Sequence, residues 1–251
     1  MKTGITLSLT AVVLLGPALV RADEVKHGFL DRVHKDGDGK EAKYVLFVPH
    51  DYKGDKDYPV ILFLHGAGET LGGSKQPVEV GIGPAIKKQE KTFPFITIFP
   101  QSQKRTWQAG SPDADRALAI LDDVKKEFKV DDKRVYLTGL SMGGYGTWSL
   151  AQKYPDRWAA IAPICGGIGR RTTADDFKAA AEKVKDIPCW CFHGDADPAV
   201  PVAQSRGMMK ALWEAGAHPN YSEYPGVGHN SWDQAYATAD LYTWLLKHKL
   251  K

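Results

Sequence analysis

One serine in this chain has the surroundings of a nucleophile: Thr138-Gly139-Leu140-Ser141-Met142-Gly143-Gly144 contains the pattern G-x-S-x-G. A serine hydroxyl attacks an acyl carbon only when a base takes its proton, and that base needs a carboxylate to orient it. Both occur downstream. The stretch "FHGDADPAVP" carries the acidic pair Asp195 and Asp197, and "GVGHNSW" sets His229 in a glycine-containing loop. Asp197 lies further into its loop and is the candidate acid, whereas Asp195 directly follows Gly194 and suits a turn-capping role. His65 and His193 end apolar runs, where a hydrogen-bonded structural imidazole is expected, and the remaining histidines lie in polar surroundings. The order Ser141, Asp197, His229 is the one used when the serine stands on a sharp strand-to-helix turn.

Attack by Ser141 would place negative charge on a substrate oxygen, and such charge is best held by fixed N–H donors. Gly66-Ala67-Gly68, after the run "VILFLH", puts the Ala67 amide forward as one donor, and the Met142 amide beside the nucleophile is the second. Trp107, in "QSQKRTWQAG", offers an aromatic face that could stack on an aryl or sugar group, with packing as its other role. Gln101 and Glu69 are substrate-contact candidates by position alone.

These residues need a frame. "PVILFLH", "FITIFP", "RVYLTGL", "AAIAPIC" and "PCWCFHG" are too continuously apolar for a sheet with one wet face, so they read as strands buried on both sides. Between them "ADRALAILDDVKKEF", "MGGYGTWSLAQKY", "DDFKAAAEKV" and "AQSRGMMKALWEAG" have helical character. The alternation predicts an α/β fold with a mainly parallel central sheet and helices on both faces. Two further strands are expected in "EVKHGFLDRV" and "EAKYVLFVPH" around a glycine-rich turn. Ser231 and Gln234 have the spacing of a capping box for a late helix. The piece from Gly66 to about Pro84 reads as irregular, and the segment between Cys165 and Pro188 is too short for a large cap domain.

Residues 1–22 combine Lys2, an apolar run from Ile5 to Val20 and the small-residue site Val20-Arg21-Ala22, the pattern of a secretory signal peptide. Residues 23–251 are then one catalytic domain, secreted or periplasmic and without a membrane anchor. Removing Lys2 and Arg21 lowers the formal net charge from +3 to +1. Both signs are interspersed along the chain, which argues against nucleic acid as a partner. Cys165, Cys189 and Cys191 read as buried small hydrophobes, with a bridge from Cys165 to one of the other two left open. Asp36-Gly37-Asp38-Gly39 begins like a calcium loop, but Lys40 occupies a ligand position. No metal and no organic cofactor are expected.

"LHGAGE", "GLSMGGYGTW", "HGDADPAVP" and "GVGHNSW" together resemble the α/β-hydrolase superfamily. More narrowly they resemble its secreted esterases akin to dienelactone hydrolases, polyhydroxybutyrate depolymerases and feruloyl esterases, a group often labelled predicted peptidases. The resemblance implies Ser141 as nucleophile, Asp197 as acid, His229 as base, and Ala67 and Met142 as oxyanion donors. It implies a serine ester hydrolase working through an acyl-enzyme on small-molecule or polysaccharide esters, short-chain or aryl (feruloyl, acetyl). A serine peptidase shares the same triad and is the alternative. A non-catalytic binding protein on this fold would have no need of all three residues.

Overall fold

A computed structural model describes residues 26–251; the signal-peptide reading falls outside them. The chain runs β1 (Gly28–Lys35), β2 (Glu41–Val48), β3 (Tyr58–Leu64), α1 (Ile82–Lys88), β4 (Ile96–Pro100), α2 (Pro112–Glu127), β5 (Val130–Leu140) and α3 (Met142–Lys153). It continues through β6 (Ala160–Ile164), α4 (Ala174–Val184), β7 (Trp190–Gly194), α5 (Ala203–Glu214), β8 (Asn220–Tyr224), α6 (Trp232–Ala237) and α7 (Ala239–Lys247). One eight-stranded sheet results, in the order β1-β2-β4-β3-β5-β6-β7-β8. β2 is antiparallel to both of its neighbours, and every other pairing is parallel. This is the α/β-hydrolase architecture expected from the sequence.

Alternation along the central strands explains their continuous apolar runs. In β3, Val60, Leu62 and Leu64 enter one core, while Ile61 and Phe63 enter the other. The first core is closed by α2, α3, α4 and α5 through Leu121, Trp148, Val184 and Met208. The second is closed by α1, α6 and α7 through Ile86, Tyr236 and Leu245. Each fully buried aliphatic or aromatic side chain of this kind contributes roughly 1.5–3 kcal/mol. Both faces are therefore dry, as the sequence predicts.

Three elements depart from the sequence reading. β8 has the polar sequence Asn-Tyr-Ser-Glu-Tyr and sits at the sheet edge, where a strand needs no apolar run. The stretch read as irregular contains two single 3₁₀ turns and leads into α1 at Ile82. α6 begins after Ser231, but that side chain makes no capping bond and its hydroxyl is buried. Between β6 and β7 stands the single helix α4, capped reciprocally by Thr173 and Asp176. Among the described residues no helix is long and apolar enough to cross a membrane.

Candidate active site

Ser141 stands where β5 ends and α3 begins, with φ 53° and ψ −116°. A non-glycine residue at positive φ costs of order 1–3 kcal/mol and persists only where the surroundings enforce it. Here the enforcement is close packing of backbone. A side chain on Gly143 would start 1.8 Å from the Leu64 carbonyl oxygen, and one on Gly139 would start 2.5 Å from the Gly143 carbonyl. Only glycine at both places lets β3, β5 and α3 converge. The turn is pinned further by the Ser141 N–H, which donates to the Ile164 carbonyl at 3.0 Å.

The loops after β7 and β8 bring the partners to this turn. His229 Nε2 lies 2.9 Å from Ser141 Oγ, and His229 Nδ1 lies 2.7 Å from Asp197 Oδ2. The Asp197 side chain is fully buried, whereas the His229 side chain remains about a quarter exposed. Asp197 Oδ1 also accepts the N–H groups of Ala199 and Val200 at 2.8 and 2.9 Å. Burial pushes the Asp197 carboxyl up, but hydrogen bonds from His229, Val200 and Ala199 outweigh it and hold the group below the ordinary aspartate range. An ionised Asp197 accepts only, so Nδ1 carries the imidazole proton and Nε2 presents its lone pair to the serine O–H. Asp195 is exposed and instead accepts the Gly226 N–H at 2.7 Å, which ties its turn to the loop before His229.

Ala67 and Met142 both line the same cleft as Ser141 and His229. Each begins a helical turn, where the first N–H groups have no acceptor within the helix. His65 orients the Ala67 amide. It is fully buried, its Nδ1–H donates to the Gly66 carbonyl at 2.6 Å, and its Nε2 accepts the Ser102 N–H at 3.0 Å. In a trans peptide the C=O and N–H point opposite ways. Holding the Gly66 carbonyl toward His65 therefore turns the Ala67 N–H away from it. Burial pushes the His65 imidazole down to about 4, so it stays neutral in this tautomer. His193 is likewise fully buried, bonded to Ser205 Oγ and the Val200 carbonyl, and its Nε2 lies 3.3 Å from Asp197 Oδ2.

The cleft is open and about 880 Å³ in volume, with Tyr145, Ile168, Val200 and Pro201 beside polar Thr106, Gln108 and Gln204. Of the two roles left open for Trp107, stacking face or packing residue, the structure shows packing. Trp107 is 1% exposed, packs edge-on against His65 and donates its Nε1–H to the His65 carbonyl at 2.9 Å. An indole with a buried acceptor for its N–H is a wall of the cleft, not a platform on its rim. Gln101 and Glu69, by contrast, are not among the residues that line the cleft. Gln101 Nε2 donates to the Glu69 carbonyl at 3.1 Å beneath the Ala67 turn, and the Glu69 side chain is buried.

Cys165 is the neighbour that sequence reasoning missed as part of this site. It directly follows β6 beside Ser141, is fully buried and has φ 38°. Among the described residues, Cys165, Asp197 and His229 are the one group of thiol, carboxylate and imidazole whose ligand atoms lie within 4.8 Å of one another. Asp197 and His229 are already bonded to each other, and burial keeps the Cys165 thiol protonated. The arrangement suits proton transfer between Ser141 and His229, with the ionised Asp197 holding the imidazole in place. All three cysteines are free, so the bridge left open from Cys165 is absent.

Known proteins extend this picture. A bifunctional acetylxylan esterase/xylanase of Neocallimastix patriciarum is 28% identical over 153 residues, covering 60% of this chain and 21% of that protein. A probable feruloyl esterase C of Aspergillus flavus is 26% identical over 204 residues, covering 79% of this chain and 70% of that protein. The crystal structure of a thermostable esterase superposes with a TM-score of 0.76 at 33% identity, covering 88% of this chain and 63% of that one. The chain spans 21%, 42% and 22% of the length of the first curated relatives it matches. Residues 40–239 match the dienelactone hydrolase family, and the chain belongs to that family.

Proposed function

We propose that this protein is a carboxylic ester hydrolase in which Ser141, His229 and Asp197 form an acyl-transfer triad. The observation that carries the reading is the unbroken hydrogen-bonded line from Asp197 through His229 to Ser141, set on a strained turn beside two helix-starting amides. His229 Nε2 takes the Ser141 proton as Oγ attacks the ester carbonyl. The Ala67 and Met142 N–H groups hold the resulting oxyanion, and His229 returns its proton to the leaving alcohol. Water then repeats the sequence on the acyl-enzyme and releases the acid. Asp197 stays ionised throughout and stabilises the imidazolium. The chain's own groups supply every step, without metal or organic cofactor.

The substrate reading is a short-chain or aryl ester carried by a sugar or polysaccharide. The cleft is wide and mixes apolar and polar side chains, and among the described residues only the single helix α4 stands between β6 and β7, which fits a hydroxylated or polymeric alcohol better than a long acyl chain. The names of the xylan- and ferulate-directed relatives point the same way. Residues 1–22 give the expected route of export, with 23–251 as the catalytic domain. The test is kcat/KM for methyl ferulate and short-chain aryl esters against peptide amides. Esters should be at least about tenfold better, equivalent to about 1.4 kcal/mol in transition-state binding. Efficient cleavage of an internal peptide bond with weak ester hydrolysis would replace this reading with a peptidase.

A further inference from the structure

His193 is a buried imidazole that the proposed reaction leaves without a part. It stands at the end of β7, and its side chain and that of Asp197 are both fully buried. Its partners fix where its proton sits. Nε2 faces two acceptors, the Val200 carbonyl at 3.0 Å and Asp197 Oδ2 at 3.3 Å, so this nitrogen carries the proton and donates it to Val200. Burial holds the ring neutral, which leaves a lone pair on Nδ1 to accept the Ser205 O–H at 2.6 Å. In the other tautomer a lone pair on Nε2 would face both oxygens, and the Ser205 hydroxyl would lose its acceptor.

Val200 is the link to the triad. Its carbonyl takes the His193 N–H, and its own N–H donates to Asp197 Oδ1 at 2.9 Å, beside the Ala199 N–H at 2.8 Å. With Oδ1 occupied in this way, Oδ2 is left to the His229 Nδ1–H at 2.7 Å. Asp197 and Val200 lie in the connection between β7 and α5, outside both elements, whereas His193 belongs to the strand and Ser205 to the helix. We propose that His193 is a positioning residue for the acid of the triad: by holding the Val200 carbonyl it fixes the Asp197 carboxylate in the rotation that presents Oδ2 to His229, and Ser205 keeps its tautomer. This rests on the reading of Asp197 as the acid and Ser141 as the nucleophile.

The test uses the full chain and a short-chain aryl ester, and compares His193→Gln and His193→Asn, each alone and combined with Asp197→Ala. Glutamine carries an N–H near the place of Nε2, whereas asparagine ends near the place of Nδ1 and has no donor that reaches Val200. His193→Asn should lower kcat by about 10–100-fold with KM within about twofold, the cost of a misaimed catalytic group. His193→Gln, the conservative variant, should recover kcat to within about fivefold of wild type, since only the bond to Ser205 is lost. In the Asp197→Ala background His193→Asn should change kcat by less than about twofold, because a residue that acts only through Asp197 then has nothing to position. A loss of the same factor on both backgrounds, or equal kcat in the glutamine and asparagine variants, overturns the proposal. If His193→Asn does not fold, Ser205→Ala takes its place. It should lower kcat about 2–10-fold in wild type and leave Asp197→Ala unchanged, and the same effect on both backgrounds overturns the proposal. Asp197→Ala by itself separates the two readings. If it keeps wild-type kcat, the acid assignment falls; if it is impaired and the His193 loss multiplies with it, only the role of His193 falls.

Discussion

The antiparallel flank of β1 and β2 and the ends of β5, β6 and β7 belong to one sheet, yet they handle polar groups in opposite ways. On the flank the eight-residue register of β1 against β2 is unbroken, and ion pairs such as Lys35–Glu41 stand in solvent. At the other place Asp197 and His193 are fully buried, and Ser141 and Cys165 leave the ordinary backbone regions side by side. Arg105, in the loop after β4 that also lines the cleft, is the third non-glycine residue at positive φ among the described residues. Such costs collect where a fold holds reactive groups in place. The flank is built for stability, and the strand ends are built for geometry.

Substitutions at the two places should therefore differ in kind. The largest effect is expected from Ser141→Ala, which should lower ester turnover by about 10⁴–10⁶ while leaving the unfolding curve in place. Near-wild-type kcat in a homogeneous sample would remove the triad from the account. Next comes Asp197→Asn, with an expected loss of roughly 10²–10⁴ because Nδ1 loses the acceptor that sets its tautomer. Asp195→Asn serves as the control and should cost far less, since Asp195 only ties its turn to Gly226. Reversal of those two losses in steady-state kinetics would show that the acid has been misassigned.

A third contrast is read in stability against pH. His65 titrates near 6.5 in the unfolded chain and at about 4 when buried. Between those values the unfolded state binds the proton and the folded state does not, so stability falls as pH drops from about 6.5 to 4. The full amount for this one group is about 3 kcal/mol. His193 is lowered by burial too and adds in the same direction. Glutamine at position 65 keeps a donor and an acceptor but does not titrate. Urea unfolding of His65→Gln across this window should show a shallower slope than wild type, and an unchanged slope would mean that His65 is charged in the fold. The smallest effect belongs to the flank. Arg32 and Glu127 are each about a third exposed, and Arg32→Ala should cost only about 0.2–1 kcal/mol with unchanged kcat. A loss above about 2 kcal/mol would mark the flank as structurally tighter than its exposure indicates.

Much of the frame was legible because its strands are buried on both faces. Runs such as "PVILFLH" have few other uses, and their parallel pairing follows from the helices between them. Ser141 and Asp197 were legible for a similar reason, since each follows an apolar run and strand ends of such a sheet meet at one edge, whereas His229 was legible from its glycine-containing loop and its place in the chain order. β8 was not, because an edge strand with one wet side carries no apolar signature. Trp107 stayed open between a stacking face and a packing residue because local sequence does not say that the His65 carbonyl waits for its indole N–H. The same limit hid Cys165 and the buried side of Glu69. Their surroundings come from strands and turns far away in sequence, which only the assembled sheet brings together.

The three cysteines, described above only as buried side chains, also give the fold a built-in clock. Burial pushes the Cys191 thiol up to about 12 and raises Cys165 and Cys189 as well, so none presents a thiolate at neutral pH. An alkylating reagent needs both a thiolate and a path to it. In the native chain it can react only during the moments when β6 or β7 comes open. The rate of alkylation thus counts those openings, in the two strands that lead into the loops beside Ser141 and holding Asp197. With no covalent link between the thiols, that count should be the same in reducing and in oxidising surroundings.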